Sequence, residues 1–156
     1  MYPVTHFLFA FLLMQIFVKS SLISQKVAIL FAVISVLIDL DHFIYYGIKH
    51  KNWSLKNSWN VAVIKHEAGE RTFIHHSTGM IIVLFICVIL ACFNLLLSNL
   101  IFITYFSHIL LDYIHINFKK AINLKKRGFR IRMPLYEIIV DIILLCLGIM
   151  FVFINN

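Results

Sequence analysis

Long apolar runs separated by short polar stretches make up most of the chain, and their length sets the reading. Five runs approach the roughly 20 residues that an α-helix needs to cross a bilayer: residues 5–23, 27–48, 79–97, 100–118 and 134–154. Each predicts a transmembrane helix, because a helix satisfies its backbone polar groups within the segment and lipid offers them no partner. The first run, from Phe7 to Val18, resembles a signal-peptide core, but no basic residue precedes it and no small-x-small cleavage pattern follows. It is therefore expected to be retained. Only Ser98-Asn99 is expected to separate the third run from the fourth, which predicts antiparallel neighbours. The expected fold class is all-α: a polytopic bundle of about five transmembrane helices, forming a single domain over 1–156.

Polar residues interrupt these runs at particular places. His6 opens the first, Asp39, Asp41 and His42 lie late in the second, and His75 and His76 stand just before the third. His108 and Asp112 fall in the later half of the fourth, and Glu137 and Asp141 in the first turns of the fifth. Basic residues orient the runs, since cytoplasmic loops accumulate Lys and Arg. Of the 14 Lys and Arg residues, 12 fall between runs two and three or between runs four and five, and only Lys19 and Lys26 lie in the first turn. That asymmetry predicts a cytoplasmic N-terminus. With this threading, all of the polar residues named above lie toward one leaflet, so segments far apart in sequence are expected to converge on one layer.

Acids and imidazoles at membrane depth are costly and mark function. Residues three or four apart share a helix face, which pairs Asp39 with His42, His108 with Asp112, and Glu137 with Asp141. Asp41 lies about 200° around an ideal helix from Asp39, so it must face another neighbour or the helix must unwind there. Imidazole plus carboxylate without thiolate suits zinc, manganese or iron. The ligand supply is roughly twice the three protein groups typical of a catalytic zinc, so one or two divalent transition-metal ions are expected, zinc favoured. Asp141 could equally pair with Arg130 or Arg132.

Thr5-His6, Asp39-Leu40-Asp41-His42, Arg71-Thr72-Phe73-Ile74-His75-His76-Ser77 and Ser107-His108-Ile109-Leu110-Leu111-Asp112 occur in an order that resembles the YdjM/YbcI-like family of inner-membrane proteins read as metal-dependent hydrolases. The resemblance implies an all-helical, multi-pass inner-membrane protein with a hydrolase site. It implies His6, Asp39, His42, His75 or His76, His108 and Asp112 as metal ligands. The third motif departs from the family pattern: Glu70 stands where a His is usual and Thr72 where a Gly is usual. An ungapped match selects His75 and the adjoining Ser selects His76, so both are retained. A Glu early in the last span is common in relatives, which nominates Glu137. Asp41 or Glu137 would serve as a further ligand or as the base that activates water. His115 shares a face with His108 but matches no family position.

Composition narrows the function classes further. Hydrophobic residues make up 62% of the chain and charged ones 13%, with a mean hydropathy of +0.92, as expected of an integral membrane protein. The net charge of +7 is accounted for by topology and by attraction to anionic headgroups, and the Lys119–Arg132 stretch has no base-reading module, so no nucleic-acid partner is expected. Trp53, Trp59, Tyr45 and Tyr46 fit an interfacial belt, with residues 53–64 along the membrane surface. Cys87, Cys92 and Cys146 lack metal or redox spacing and read as packing residues, while His50 and His66 read as solvated loop residues. Ser77 lacks a nucleophile elbow, and phosphate-binding or dinucleotide-binding glycine motifs are absent. The leading expectation is a membrane-bound metal-dependent hydrolase acting on a phosphoester or phospholipid-like amphiphile, with membrane lipids as partners. The competing expectations are a transporter conducting protons or metal, and a non-catalytic scaffold fixed by metal.

Overall fold

The structure is a computed structural model and describes residues 2–65, 73–114, 121–126 and 128–154. Its embedded part is all-α, as the apolar runs predict. Helices α1 (Pro3–Lys19), α2 (Gln25–Leu37) and α3 (Leu40–His50) come first, followed by α4 (Leu55–Lys65). A 3₁₀ turn at Phe73–His75 leads into α5 (Ser77–Ala91), and α6 (Leu95–Ile114) follows. Strands β1 (Ala121–Lys126) and β2 (Phe129–Pro134) precede α7 (Leu135–Ile154).

Among the described residues three helical stretches are long and apolar enough to cross a membrane: Gln25–His50, Leu95–Ile114 and Leu135–Phe153. Pro3–Lys19 and Ser77–Ala91 are shorter apolar helices. The five expected spans thus correspond to three long stretches and two short helices.

Helix α1 is central. It packs against α2, α6 and α7, while α5 packs on α6. Met14 of α1, Ala28 and Phe31 of α2 and Leu100 of α6 form the buried apolar core. Helices α1 and α7 run side by side from the same end, with Thr5 beside Glu137 and Phe11 beside Gly148. The opposite faces of α5 and α7 leave Ile81, Phe85, Val88, Ile139, Ile142 and Phe153 exposed. In a membrane protein such a face is solvated by lipid tails, not water.

Three boundaries differ from the sequence reading. The turn expected at Ser98-Asn99 lies at Cys92–Asn94, because Asn94 Oδ1 accepts the Leu97 N–H at 2.9 Å and so starts α6 earlier. Ser98 instead donates across to the Cys87 carbonyl at 2.7 Å, tying α6 to α5. The second run breaks at Ile38-Asp39: Asp39, Asp41 and His42 donate to the carbonyls of Val36, Ile38 and Asp39, three residues back. These are 3₁₀-type bonds, and they tighten the chain where the acids cluster. The third difference is an unexpected antiparallel hairpin, registered from Ala121 opposite Pro134 to Lys126 opposite Phe129. Apolar residues recur every second position at Ile122, Leu124, Ile131 and Met133, a strand period hidden among the Lys and Arg residues. Gly128, at φ +83°, supplies the turn. Helix α4, where a surface segment was expected, packs against β2, with the Asn60 amide donating to the Gly128 carbonyl at 3.0 Å.

Candidate metal centre

Five side chains from four parts of the chain converge at one end of the bundle. Helix α6 is the regular element among them. One turn of it places His108 and Asp112 on the same buried face. His6 enters from the first turns of α1, its Nε2 3.2 Å from Asp112 Oδ1, and its ring stacks on that of His108 with centroids 3.9 Å apart and planes 23° apart. Asp39 arrives from the α2–α3 break: Oδ1 lies 3.4 Å from His108 Nε2, and Oδ2 lies 3.9 Å from His6 Nε2. His75 comes from the 3₁₀ turn, with Nε2 3.1 Å from His108 Nε2, 3.7 Å from Asp112 Oδ2 and 3.9 Å from Asp39 Oδ1.

The donor atoms fall into two groups, each within 4.8 Å: His6, Asp39, His108 and Asp112 in one, and Asp39, His42 and His75 in the other. Asp39 belongs to both. Atoms sharing a tetrahedral ion at about 2.0–2.2 Å stand roughly 3.3–3.6 Å apart, and the contacts above, 3.1 to 3.9 Å, bracket that spacing. A second observation agrees. His6 is fully buried, and its Nε2 faces two carboxylates, Asp112 at 3.2 Å and Asp39 at 3.9 Å, without a well-aligned hydrogen bond to either. Two acids turned toward one buried imidazole nitrogen are costly unless positive charge balances them, and an ion lying among these donors would supply it. The residues present fit a divalent transition metal.

Asp41, on the far side of the helical break, is held differently. Its Oδ2 lies 2.6 Å from His75 Nδ1, and its side chain is almost completely buried. A carboxylate on Nδ1 places the proton there and leaves Nε2 as the donor toward the centre, the arrangement common around metal-bound histidines. The ambiguity at Asp41 resolves in both ways at once: the helix is broken, and the side chain faces another neighbour. His6 and His108 carry no hydrogen bond on Nδ1, so stacking and backbone placement orient them.

His42 lies at the open edge, with Nε2 3.8 Å from Asp39 Oδ1 and 3.9 Å from Asp41 Oδ1. The side chains of His42 and Asp39 are 23% and 22% exposed, whereas those of His6, His75 and His108 are at 0%. Access is therefore from the α3 side. Of the two adjacent histidines, His75 joins the cluster; His76 is exposed and begins α5 without capping it through its side chain.

Glu137 stands outside both donor groups. It is fully buried and accepts from Thr5 Oγ1 at 2.9 Å and from the Tyr2 backbone N–H at 2.5 Å. Asp141 lies one turn further along α7, with Oδ1 buried and not hydrogen-bonded. His66, the Glu70–Thr72 part of the third motif and His115 lie outside the described residues, as do the side chains of Arg130 and Arg132.

Two supporting residues escaped the sequence reading. The Tyr105 hydroxyl donates to the Ile74 carbonyl and steadies the turn that presents His75. Its spacing of three from His108 was the available signal. Thr5 anchors Glu137, and its place in the Thr5-His6 motif was the clue there.

No curated protein and no solved structure matches the chain. The model of the YdjM inner membrane protein family matches residues 1–153, nearly the whole length and every segment that contributes to the centre. With several helices long and apolar enough to span a bilayer, this is a multi-pass inner-membrane protein, and the chain belongs to the YdjM inner membrane protein family.

Proposed function

We propose that the chain is a membrane-bound metal-dependent hydrolase acting on a phosphoester bond, with an amphiphilic or phosphorylated substrate approaching at the cytoplasmic headgroup layer. The observation that carries this reading is the convergence of His6, Asp39, His75, His108 and Asp112, from four parts of the chain, into two overlapping groups of donor atoms. Burial of this much polarity near the end of a membrane bundle is hard to sustain as packing alone. These five side chains, with His42 at the edge, would hold one or two divalent ions, zinc favoured by the imidazole and carboxylate donors. When bound, such an ion supplies Lewis acidity toward water and toward the oxygens of a phosphoester.

The chain's own residues divide the remaining work. Asp41 orients His75 through Nδ1. Asp39, which belongs to both donor groups, would contribute a ligand oxygen to either. Asp39 and His42, the partly exposed members of the cluster, mark the side from which substrate would reach the centre. Lys49, Lys51 and Lys56, exposed on the neighbouring segments, would favour an anionic headgroup. The positive-inside count supports the cytoplasmic orientation.

Detergent-purified protein is expected to carry near-stoichiometric transition metal and to hydrolyse a member of a phosphoester and phospholipid panel in a chelator-sensitive way. His108→Ala combined with Asp112→Ala should remove both metal and turnover. Full metal retention by that double variant would count decisively against the assignment.

A conducting function is the second reading. Gln15 and Ser35 favour it, being fully buried away from the centre with side-chain polar atoms that have no hydrogen-bond partner. Metal-dependent uptake into liposomes without hydrolysis of any lipid would select it. Tightly held metal with no turnover, and unfolding on chelation, would select a scaffold.

A further inference from the structure

His6 poses a positioning problem. Its Nδ1 makes no hydrogen bond, and stacking on His108 allows sliding, so whether Nε2 reaches Asp112, 3.2 Å away, is set by the backbone of the first turns of α1. That start is poorly provided for locally. Tyr2 is the N-cap residue, extended at φ −78° and ψ 154°, and makes no side-chain cap. Pro3 fits the first helical position because it has no N–H to satisfy. The Tyr2 carbonyl accepts the N–H groups of Thr5 and His6 at 3.0 and 3.3 Å, so His6 is wound directly onto this terminus.

In a capping box the third residue after the N-cap is Glu or Gln, and its side chain reaches back to the N-cap N–H. Here that position holds Thr5, too short to return. Glu137 fills the gap from another helix. Its Oε1 accepts the Tyr2 N–H at 2.5 Å and the Thr5 hydroxyl at 2.9 Å, which reproduces the missing bond and fixes it to the third position.

We propose that Glu137 is a positioning residue for the metal centre: through a capping box completed across the bundle, it holds the first turn of α1 so that His6 meets Asp112 and His108. The inference rests on the metal-centre reading above and assigns Glu137 a role outside the reacting groups.

The test uses full-length detergent-purified protein, zinc affinity measured against a chromophoric chelator, and hydrogen exchange of the α1 amides measured without metal. Glu137→Ala should weaken zinc binding about 10- to 100-fold, as loss of an outer partner does, and speed exchange at residues 4–7 by roughly 2- to 30-fold, the factor of a lost cap. Glu137→Gln keeps an acceptor oxygen, and Gln serves in capping boxes, so both readouts should stay near wild type. Thr5→Val should weaken zinc binding alone but add nothing to Glu137→Ala, because the two share one bond. Equal loss of zinc in Glu137→Gln and Glu137→Ala would overturn the inference, since charge rather than capping would then matter. Unchanged exchange in Glu137→Ala would overturn it as well. Zinc bound equally by wild type and Glu137→Ala would sink this inference alone, whereas a wild-type protein that takes up no zinc would sink the metal reading along with it.

Discussion

Replacing Asp41 with Ala tests the centre through a residue that belongs to neither group of donor atoms. Asp41 Oδ2 meets His75 Nδ1 at 2.6 Å, and both side chains are essentially dry. Removal leaves a buried ring N–H without its partner, at a cost of about 1–3 kcal/mol. It also frees His75 to move its proton to Nε2, which faces His108, Asp39 and Asp112 and is useful as a ligand only when unprotonated. Outer carboxylates on metal-bound histidines are worth about 10- to 100-fold in affinity, or roughly 1.4–2.8 kcal/mol, and the two estimates overlap. Asp41→Ala is therefore expected to weaken zinc binding by that factor in a chelator competition. Asp41→Asn, which retains an acceptor oxygen, should lose less. Turnover should recover when zinc is raised to saturation. If Asp41→Ala binds zinc like the wild type but has no turnover even when saturated, Asp41 acts on the reacting groups directly and the orienting argument fails.

Two further outcomes follow from the geometry. His75→Ala should lose zinc by more than tenfold while His76→Ala stays near wild type in the same competition, because only His75 enters the cluster and His76 is exposed; equal losses would refute this division. Gly47→Ala sets a Cβ into overlap with the Trp53 ring, which must shift from its edge-on packing with Phe43, 5.7 Å away between centroids. Overpacking of this kind costs about 1–3 kcal/mol, so the thermal midpoint in detergent should fall and Trp fluorescence should change; an unaltered midpoint would refute close packing of Trp53 on Gly47.

The residues of the centre were legible in the sequence because their chemistry conflicts with their surroundings. A His and an Asp four apart in an apolar run, such as His108 and Asp112, have few uses other than binding or pairing. The helical period also placed both on one buried face, as the structure has them. Hydropathy could not reveal where regular backbone stops. Asn94 caps α6, but the run of Leu95, Leu96 and Leu97 masked the boundary. The β1–β2 hairpin was hidden for a related reason: its alternation is carried by two short runs, Ile122 and Leu124 then Phe129, Ile131 and Met133, set among Lys and Arg. The choice between His75 and His76 was beyond any periodicity argument, because the 3₁₀ turn that presents His75 is held by Tyr105, thirty-one residues away.

These failures of regularity share a cause that bears on how the centre works. His108 and Asp112 sit on an unbroken helix, fixed relative to each other by its geometry. The other contributors come from places where the backbone leaves the α-helical pattern or has only just entered it: the first turns of α1, the break at Ile38-Asp39 and the 3₁₀ turn at Phe73–His75. A straight second helix would have put Asp39 and Asp41 on nearly opposite sides. Breaking it lets Asp39 face His108 while Asp41 reaches His75. Such ends expose backbone groups that lipid cannot satisfy, so each needs an outside partner. Glu137 meets that need for α1 and Tyr105 for the turn before His75. Helix α6 is thus the fixed platform, and the spacing of the donor atoms depends on how firmly these polar contacts hold the irregular segments against it.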